Sequence, residues 1–201
     1  MGIKERHQRE KENLRQTILA AAHEMLVQEG YENISMRKLA DKIEYSPTTI
    51  YLYFKDKRDL VDALMTEFFT RLKVAHAAVY NEKDDPLTRL KKDIRAYITC
   101  ALANPNYYRL AFMITPSFRK EDYLKPGTPG TDLYLGLRTL VEQCIRKRLF
   151  RPVDVDLATQ IIWTMNHGIT SLLISNPNFP WVNQEKLITE DIARTLAAFT
   201  P

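Results

Sequence analysis

The chain has 201 residues, a formal net charge of +4 and 45% hydrophobic residues, enough to bury the core of one or two helical units. Its two cysteines, Cys100 and Cys144, lack CxxC spacing and companion histidines, which argues against a disulfide scaffold or a zinc site. No run of 18 apolar residues and no signal-peptide core is seen, so no membrane partner is expected and the expected compartment is a reducing cytoplasm.

Residues 1 to 15 are rich in Lys, Arg and Glu without apolar periodicity. They read as a frayed extension, either a solvated tail or a basic arm on DNA. Helical spacing begins with Leu14, Ile18, Ala21, Ala22, Met25 and Leu26, and Gly30 supplies a left-handed stop. A second helix follows, with Met36, Leu39, Ala40 and Ile43 on one stripe and Ser35 as its cap. Glu44, Tyr45 and Ser46 form a tight break, after which Pro47 occupies the first helical position of a third helix, where a missing N–H costs nothing. In that third helix Ile50 and Phe54 face inward. Thr48, Tyr51, Leu52 and Lys55 share another face, with Thr49 and Tyr53 beside it.

Two short helices joined by such a turn are how a protein presents one helix to the major groove of DNA. Total charge is weak evidence for this, but its distribution says more: from Arg37 to Arg58 there are six basic and three acidic residues. Lys57 opens the next helix, where an ammonium and helix-terminus amides can hold one phosphate together. That helix, capped by Asp56 with Asp59 at its third position, runs through Leu60, Leu64, Phe68, Leu72, Ala75 and Val79. At 1.5 Å per residue it is roughly 35 Å long, a lever reaching from the DNA-binding unit into a second domain.

Further helices are expected to open at Pro86 and Pro105, each after an Asx cap, the latter short and aromatic. Residues 115 to 130, with three prolines and two glycines, read as a long surface loop. A helix capped by Thr131 or Asp132 comes next and ends in Arg146, Lys147 and Arg148. The last third holds two helices, about 155–175 and 184–199. No repeats and no alternating strand patterns stand out.

Residues 12 to 60 resemble the DNA-binding domain of the TetR family of bacterial transcriptional regulators. The matching pieces are ILAAAHEMLVQEGYENISMRKLADKI, its Gly30-Tyr31 stop, and SPTTIYLYFKDKRDLVDAL with its tyrosine pair and trailing lysine. The resemblance implies a repressor of transcription that binds a double-stranded DNA operator as a homodimer and is released by a small-molecule effector. By position, Thr48, Thr49 and Tyr51 would reach base edges, and Arg37, Ser46, Tyr53 and Lys57 would hold phosphates. Leu52 departs from the pattern, standing where many relatives have a second polar or aromatic group. Trp163, His167 and Gly168, spaced W-x-x-x-HG, resemble a motif of one subgroup of TetR-family regulatory domains.

The fold expected is therefore all-α: an N-terminal three-helix helix-turn-helix domain over 1–55, and a C-terminal helical domain over 56–201 for effector binding and dimerisation. The helix at 155–175 is apolar on more than one face, so it must be buried on several sides. One of those sides is expected to be a second subunit, with Leu187, Ile188, Ile192, Leu196 and Phe199 of the last helix completing an isologous four-helix interface; filling of a monomer core is the alternative. Gly168 in mid-helix suggests close backbone approach. A mostly apolar effector pocket is expected from Phe68, Tyr97, Cys100, Tyr107, Tyr108, Phe112, Trp163 and His167, against the alternative that these are ordinary packing residues. Catalysis is not expected, nor is any cofactor: His7, His23, His76 and His167 fall in no HExxH, GxSxG, GxGxxG or phosphate-loop pattern. The rival to a DNA-binding regulator is a helical protein-interaction module.

Overall fold

The computed structural model describes residues 2–114 and 127–201, and its described residues form nine α-helices, a short 3-10 turn and no strand. In chain order the helices are α1 (Ile3–Gln28), α2 (Met36–Lys42), α3 (Pro47–Tyr51), α4 (Lys57–Val79), α5 (Pro86–Ala103), α6 (Pro105–Phe112), α7 (Pro129–Arg146), α8 (Val155–Ser175) and α9 (Gln184–Ala197). The all-α architecture matches the expectation. Two compact units emerge: one runs to Phe68 and takes in the segment beginning at Asn106, and the other holds Phe69–Pro105 and the C-terminal part of the chain. Helix α4 begins in the first and ends in the second.

The helix starts carry the caps that the sequence announces. Ser35 Oγ accepts the Lys38 N–H at 3.2 Å, and Asp56 Oδ1 accepts that of Asp59 at 2.9 Å while Asp59 Oδ2 accepts that of Lys55. Asp85 accepts from the N–H groups of Leu87 and Thr88 and from the Thr88 hydroxyl, and these donors hold its carboxyl below the usual range. One start differs from the expectation. Thr128 caps α7, with Pro129 at N1, so that helix starts before the expected Thr131 or Asp132. The remainder of the expected 115–130 loop lies outside the described residues.

The N-terminal extension is a correction. It is not frayed: α1 is one helix of 26 residues from Ile3. Its first half is exposed, so packing does not hold it. Local bonds do, namely Gly2 N–H to Glu5 at 3.0 Å, Arg6 to Glu10 at 2.9 Å and Gln16 to Glu12 at 2.8 Å, added to a helix already nucleated on the core downstream. Amphipathic periodicity, the signal sought in the sequence, reports burial and misses a helix stabilised this way.

In the first unit, Ile18, Ala22, Met25 and Leu26 of α1, Leu39 and Ala40 of α2, Ile50 of α3, and Leu60 and Leu64 of α4 are buried. Each larger side chain contributes about 1.5–3 kcal/mol by leaving water. The second unit is a bundle in which α5, α7, α8 and α9 pack on one another around Leu90, Ile94, Ile98, Val141, Ile162 and Leu173. The apolar stripe of α9 belongs to this core: Ile188, Ile192, Leu196 and Phe199 are buried inside the subunit, which corrects their assignment to a subunit interface. Helix α9 had only one apolar face, and the subunit's own core takes it. None of the described helices is long and apolar enough to cross a membrane.

Two turns share one device. After α2 the Tyr45 N–H bonds the Ala40 carbonyl at 3.0 Å, and after α7 the Leu149 N–H bonds the Cys144 carbonyl at 2.9 Å. In each, the residue before the donor must turn left-handed, a place glycine usually takes; here Glu44 (φ 60°) and Arg148 (φ 59°) hold it. A left-handed non-glycine residue costs about 1–2 kcal/mol. Arg148→Gly is therefore expected to raise unfolding free energy by about 0.5–1 kcal/mol in urea denaturation, after allowance for the extra freedom of the unfolded glycine. A loss of stability would show that the turn carries no strain.

Candidate functional site

The helix-turn-helix sets its exposed face by what it buries. Ile50 is fully buried and Phe54 is 2% exposed, with the Arg15 guanidinium 5.2 Å above the Phe54 ring. At about 100° per residue those anchors fix the rotation of α3. Thr48 therefore lies exposed, Tyr51 is 52% exposed, and Thr49 and Tyr53 are half-buried on the flanks. Leu52 is 74% exposed. Tyr45, at the turn, is also largely open.

The expected phosphate-holding groups have distinct surroundings. Arg37 stands exposed in the first turn of α2. Ser46 caps α3, its Oγ accepting the Thr49 N–H at 3.1 Å and lying 2.9 Å from the Thr49 hydroxyl, so each of these two side chains orients the other. Lys57 does something the sequence did not reveal. Its Nζ donates to the Tyr31 carbonyl at 2.8 Å and sits 4.1 Å over the Tyr31 ring. Partial burial lowers its pKa, with Glu32 acting in the opposite direction. The lysine thus ties the start of α4 to the turn after Gly30, whose φ of 81° with ψ of 168° lies where only glycine is comfortable. An ammonium has three donors, so two remain for another acceptor.

A further feature of this unit is an open cleft of about 820 Å³ between the N-terminal half of α1 and the turn and end of α3. His7, Glu10, Lys11, Asn13, Leu14 and Thr17 form one wall, and Tyr45, Leu52 and Tyr53 the other. Sequence reading missed it because residues 1–15 show no apolar period. The spacing of Lys4, His7, Lys11, Leu14 and Ile18 was nevertheless available as a signal for one continuous helical face.

The eight residues expected to line an effector pocket fall into two groups. Phe68, Tyr107, Tyr108 and Phe112 belong to the first unit, where they pack on one another: the Phe68 and Tyr107 rings lie parallel at 6.1 Å, and those of Tyr108 and Phe112 are 5.1 Å apart. His23 stacks on Tyr107 at 4.7 Å, and the Tyr107 hydroxyl donates to Glu67 at 2.9 Å. Tyr97, Cys100, Trp163 and His167 belong to the second unit. There the Tyr97 hydroxyl lies 3.2 Å from His167 Nε2, Trp163 meets the His167 ring edge-on at 5.0 Å, and Tyr134 meets Trp163 at 5.8 Å. Burial pushes the His167 pKa down to about 4, so the imidazole is neutral near pH 7 and offers one donor and one acceptor. Burial raises both thiols, Cys144 to about 12, which leaves neither as an activated nucleophile. Among the described residues no group of three or more His, Cys, Asp or Glu is placed to hold a metal ion.

A Cβ built on Gly168 meets nothing within 4 Å, so among the described residues no other element of its own subunit approaches it. It lies instead in an exposed line on α8 with Leu157, Ile161, Met165 and Leu172.

Comparison with known proteins gives two family matches: residues 18–64 match the model of bacterial regulatory proteins of the tetR family, and residues 90–196 that of the tetracyclin repressor-like C-terminal domain. The HTH-type transcriptional regulator SAR2658 of Staphylococcus aureus (strain MRSA252) is 31% identical over 155 residues, which cover 70% of this chain and 81% of that protein. Among solved structures, a protein of unknown function from Rhodococcus sp. RHA1 superposes with a TM-score of 0.79 at 21% identity, over 94% of this chain and 96% of that one. The TetR family regulator PfmR of Thermus thermophilus does so with a TM-score of 0.69 at 21% identity, over 90% and 97%. The two structural likenesses concern the fold.

The depressed His167 pKa has a measurable consequence. The unfolded chain takes up this proton below about pH 6.5 while the folded chain resists until about pH 4, so folding stability falls as pH drops through that window. Compared with His167→Gln, the native protein is expected to lose up to about 1.4 kcal/mol more per pH unit there, read by urea denaturation at a series of pH values. Parallel curves would mean that the imidazole is not held neutral.

Proposed function

This chain belongs to the TetR family of bacterial regulatory proteins, and from that premise we propose that it is a ligand-responsive repressor: a homodimer that binds a near-palindromic operator and lets go when a small, mostly apolar effector binds. The observation that carries the reading is the exposure of Thr48 and Tyr51 over the buried pair Ile50 and Phe54. Thr48, Thr49 and Tyr51 contact base edges in the major groove. Arg37, Ser46, Tyr53 and the remaining donors of Lys57 hold phosphates and set the register. The functional division follows, with residues 1–55 for DNA and 56–201 for effector and partner subunit.

One recognition helix of five residues makes few base contacts, and two copies in a dimer supply the rest. The exposed line Leu157, Ile161, Met165, Gly168 and Leu172 is the face we assign to the partner subunit, with the small residues Ala193 and Ala197 exposed on α9 beside it. Gly168 lets a facing backbone come close. The effector site is assigned to the second unit, around Tyr97, Trp163 and His167, where a neutral imidazole and a phenol hydroxyl orient a ligand that aromatic faces otherwise hold. The continuous α4 carries the coupling, which for such linkage is typically about 1–3 kcal/mol, or roughly a 5–150-fold change in operator affinity.

Footprinting of genomic fragments with the purified protein identifies the operator. On that duplex Tyr51→Ala and Thr48→Ala are expected to cost about 1–3 kcal/mol each and to relax sequence preference, whereas Arg37→Ala weakens all sequences alike and lowers the salt slope. Protection of no specific sequence by the native protein would overturn the regulator reading. Gly168→Leu tests the dimer. The new side chain meets nothing in its own subunit and improves helix propensity by roughly 1 kcal/mol, so the subunit stays folded while sedimentation is expected to shift from dimer to monomer. An unchanged dimer would move the interface elsewhere.

A further inference from the structure

From Lys4 to Asn13 every residue of α1 is exposed, so this stretch, held by its own side-chain bonds, presents an ordered surface to whatever lies outside the subunit. The helical face that is core at Ile18 continues outward as Leu14, Lys11, His7 and Lys4, turning from apolar to basic once it passes the end of the core. Its acidic neighbours are already engaged. Glu5 accepts from the Gly2 N–H, Glu10 pairs with Arg6, and Glu12 accepts from Gln16, so each carboxylate is drawn onto a local donor. Lys4 and Lys11 have no such partner among the described residues. Across the cleft stand Tyr45 from the turn before α3 and Leu52 and Tyr53 from the turn that follows it.

We propose that this cleft seats one strand of the DNA backbone beside the major groove, with Lys11 of its wall on one phosphate, Lys4, two turns further along the same helical face, on another, and Leu52 against a deoxyribose. The inference rests on the operator-binding reading and extends it: α1 becomes a second, sequence-independent grip that lengthens the contacted half-site. Three features favour DNA as occupant. The cleft is open to solvent; its one carboxylate, Glu10, is paired with Arg6 while Lys11 is not so engaged; and Tyr53 in its wall is already assigned to a phosphate. It also gives Leu52 a use, since an apolar side chain 74% exposed beside a sugar edge sheds water on binding.

The test compares the native protein with the double variant Lys4→Gln/Lys11→Gln on the footprinted operator duplex and on a random duplex of equal length. Both lysines are exposed, and unchanged circular dichroism and thermal midpoint check that the fold is kept. Loss of four ammonium–phosphate contacts per dimer is expected to lower the slope of log K against log salt by about 3 to 4 on both duplexes, with sequence preference retained. Hydroxyl-radical footprints are expected to lose protection at the outer sugars of each half-site only. An unchanged slope overturns the proposal, and so does a reduced slope with the outer protection intact, which would leave the lysines acting at long range and the cleft empty of DNA. Failure of the operator reading looks different: no preferred sequence for the native protein at any salt.

Discussion

The rotation of a five-residue helix about its own axis is the constraint on which the remaining assignments rest. Helix α3 is too short to be stable alone, and its caps at Ser46 and Pro47 only mark where it starts. What decides which way Thr48 and Tyr51 point is the burial of Ile50 and Phe54 in the core of the first unit. A turn of about 100° in either direction would bury a tyrosine and expose an isoleucine. Several kcal/mol of burial energy therefore stand behind the orientation of side chains that themselves contribute little to the fold.

Much of this was legible in the sequence because it is local. Caps at Ser35, Ser46, Asp56 and Asp85, prolines at N1 and apolar stripes at helical spacing act within a turn or two of chain, and the helices begin where they say. What was missed came from longer range or from a different stabilising force. The helical extension before Leu14 is held by side-chain pairs without burial. The Lys57–Tyr31 bond spans 26 residues and joins two groups that no motif links. The eight aromatic and polar residues grouped as one pocket were united only by chemical type, and the chain's path divides them between two units.

The two copies of one turn device, at Glu44 and Arg148, bear on how the molecule tolerates strain. In each, a long charged side chain sits on a left-handed backbone while its polar end stays in water, and an i to i−5 hydrogen bond is among those that close the helix. At Glu44 the turn also sets the angle between α2 and α3, so backbone strain there is stored beside the reading face. Under the operator-binding reading, a carboxylate at this position opposes phosphate as well and is expected to restrain non-specific attraction to DNA.

The burial of the α9 stripe inside its own subunit reaches furthest. The apolar stripe of the last helix is spent on the protomer's own interior, which leaves the outer ridge of α8 as the main apolar surface for a companion. If the proposed pair, joined along that ridge, separates into folded halves, those halves can re-form with new mates. Occupancy of a two-fold DNA site then climbs with the square of the amount of free chain in the dilute regime, so modest changes in synthesis alone would shift the switch before any small molecule arrives.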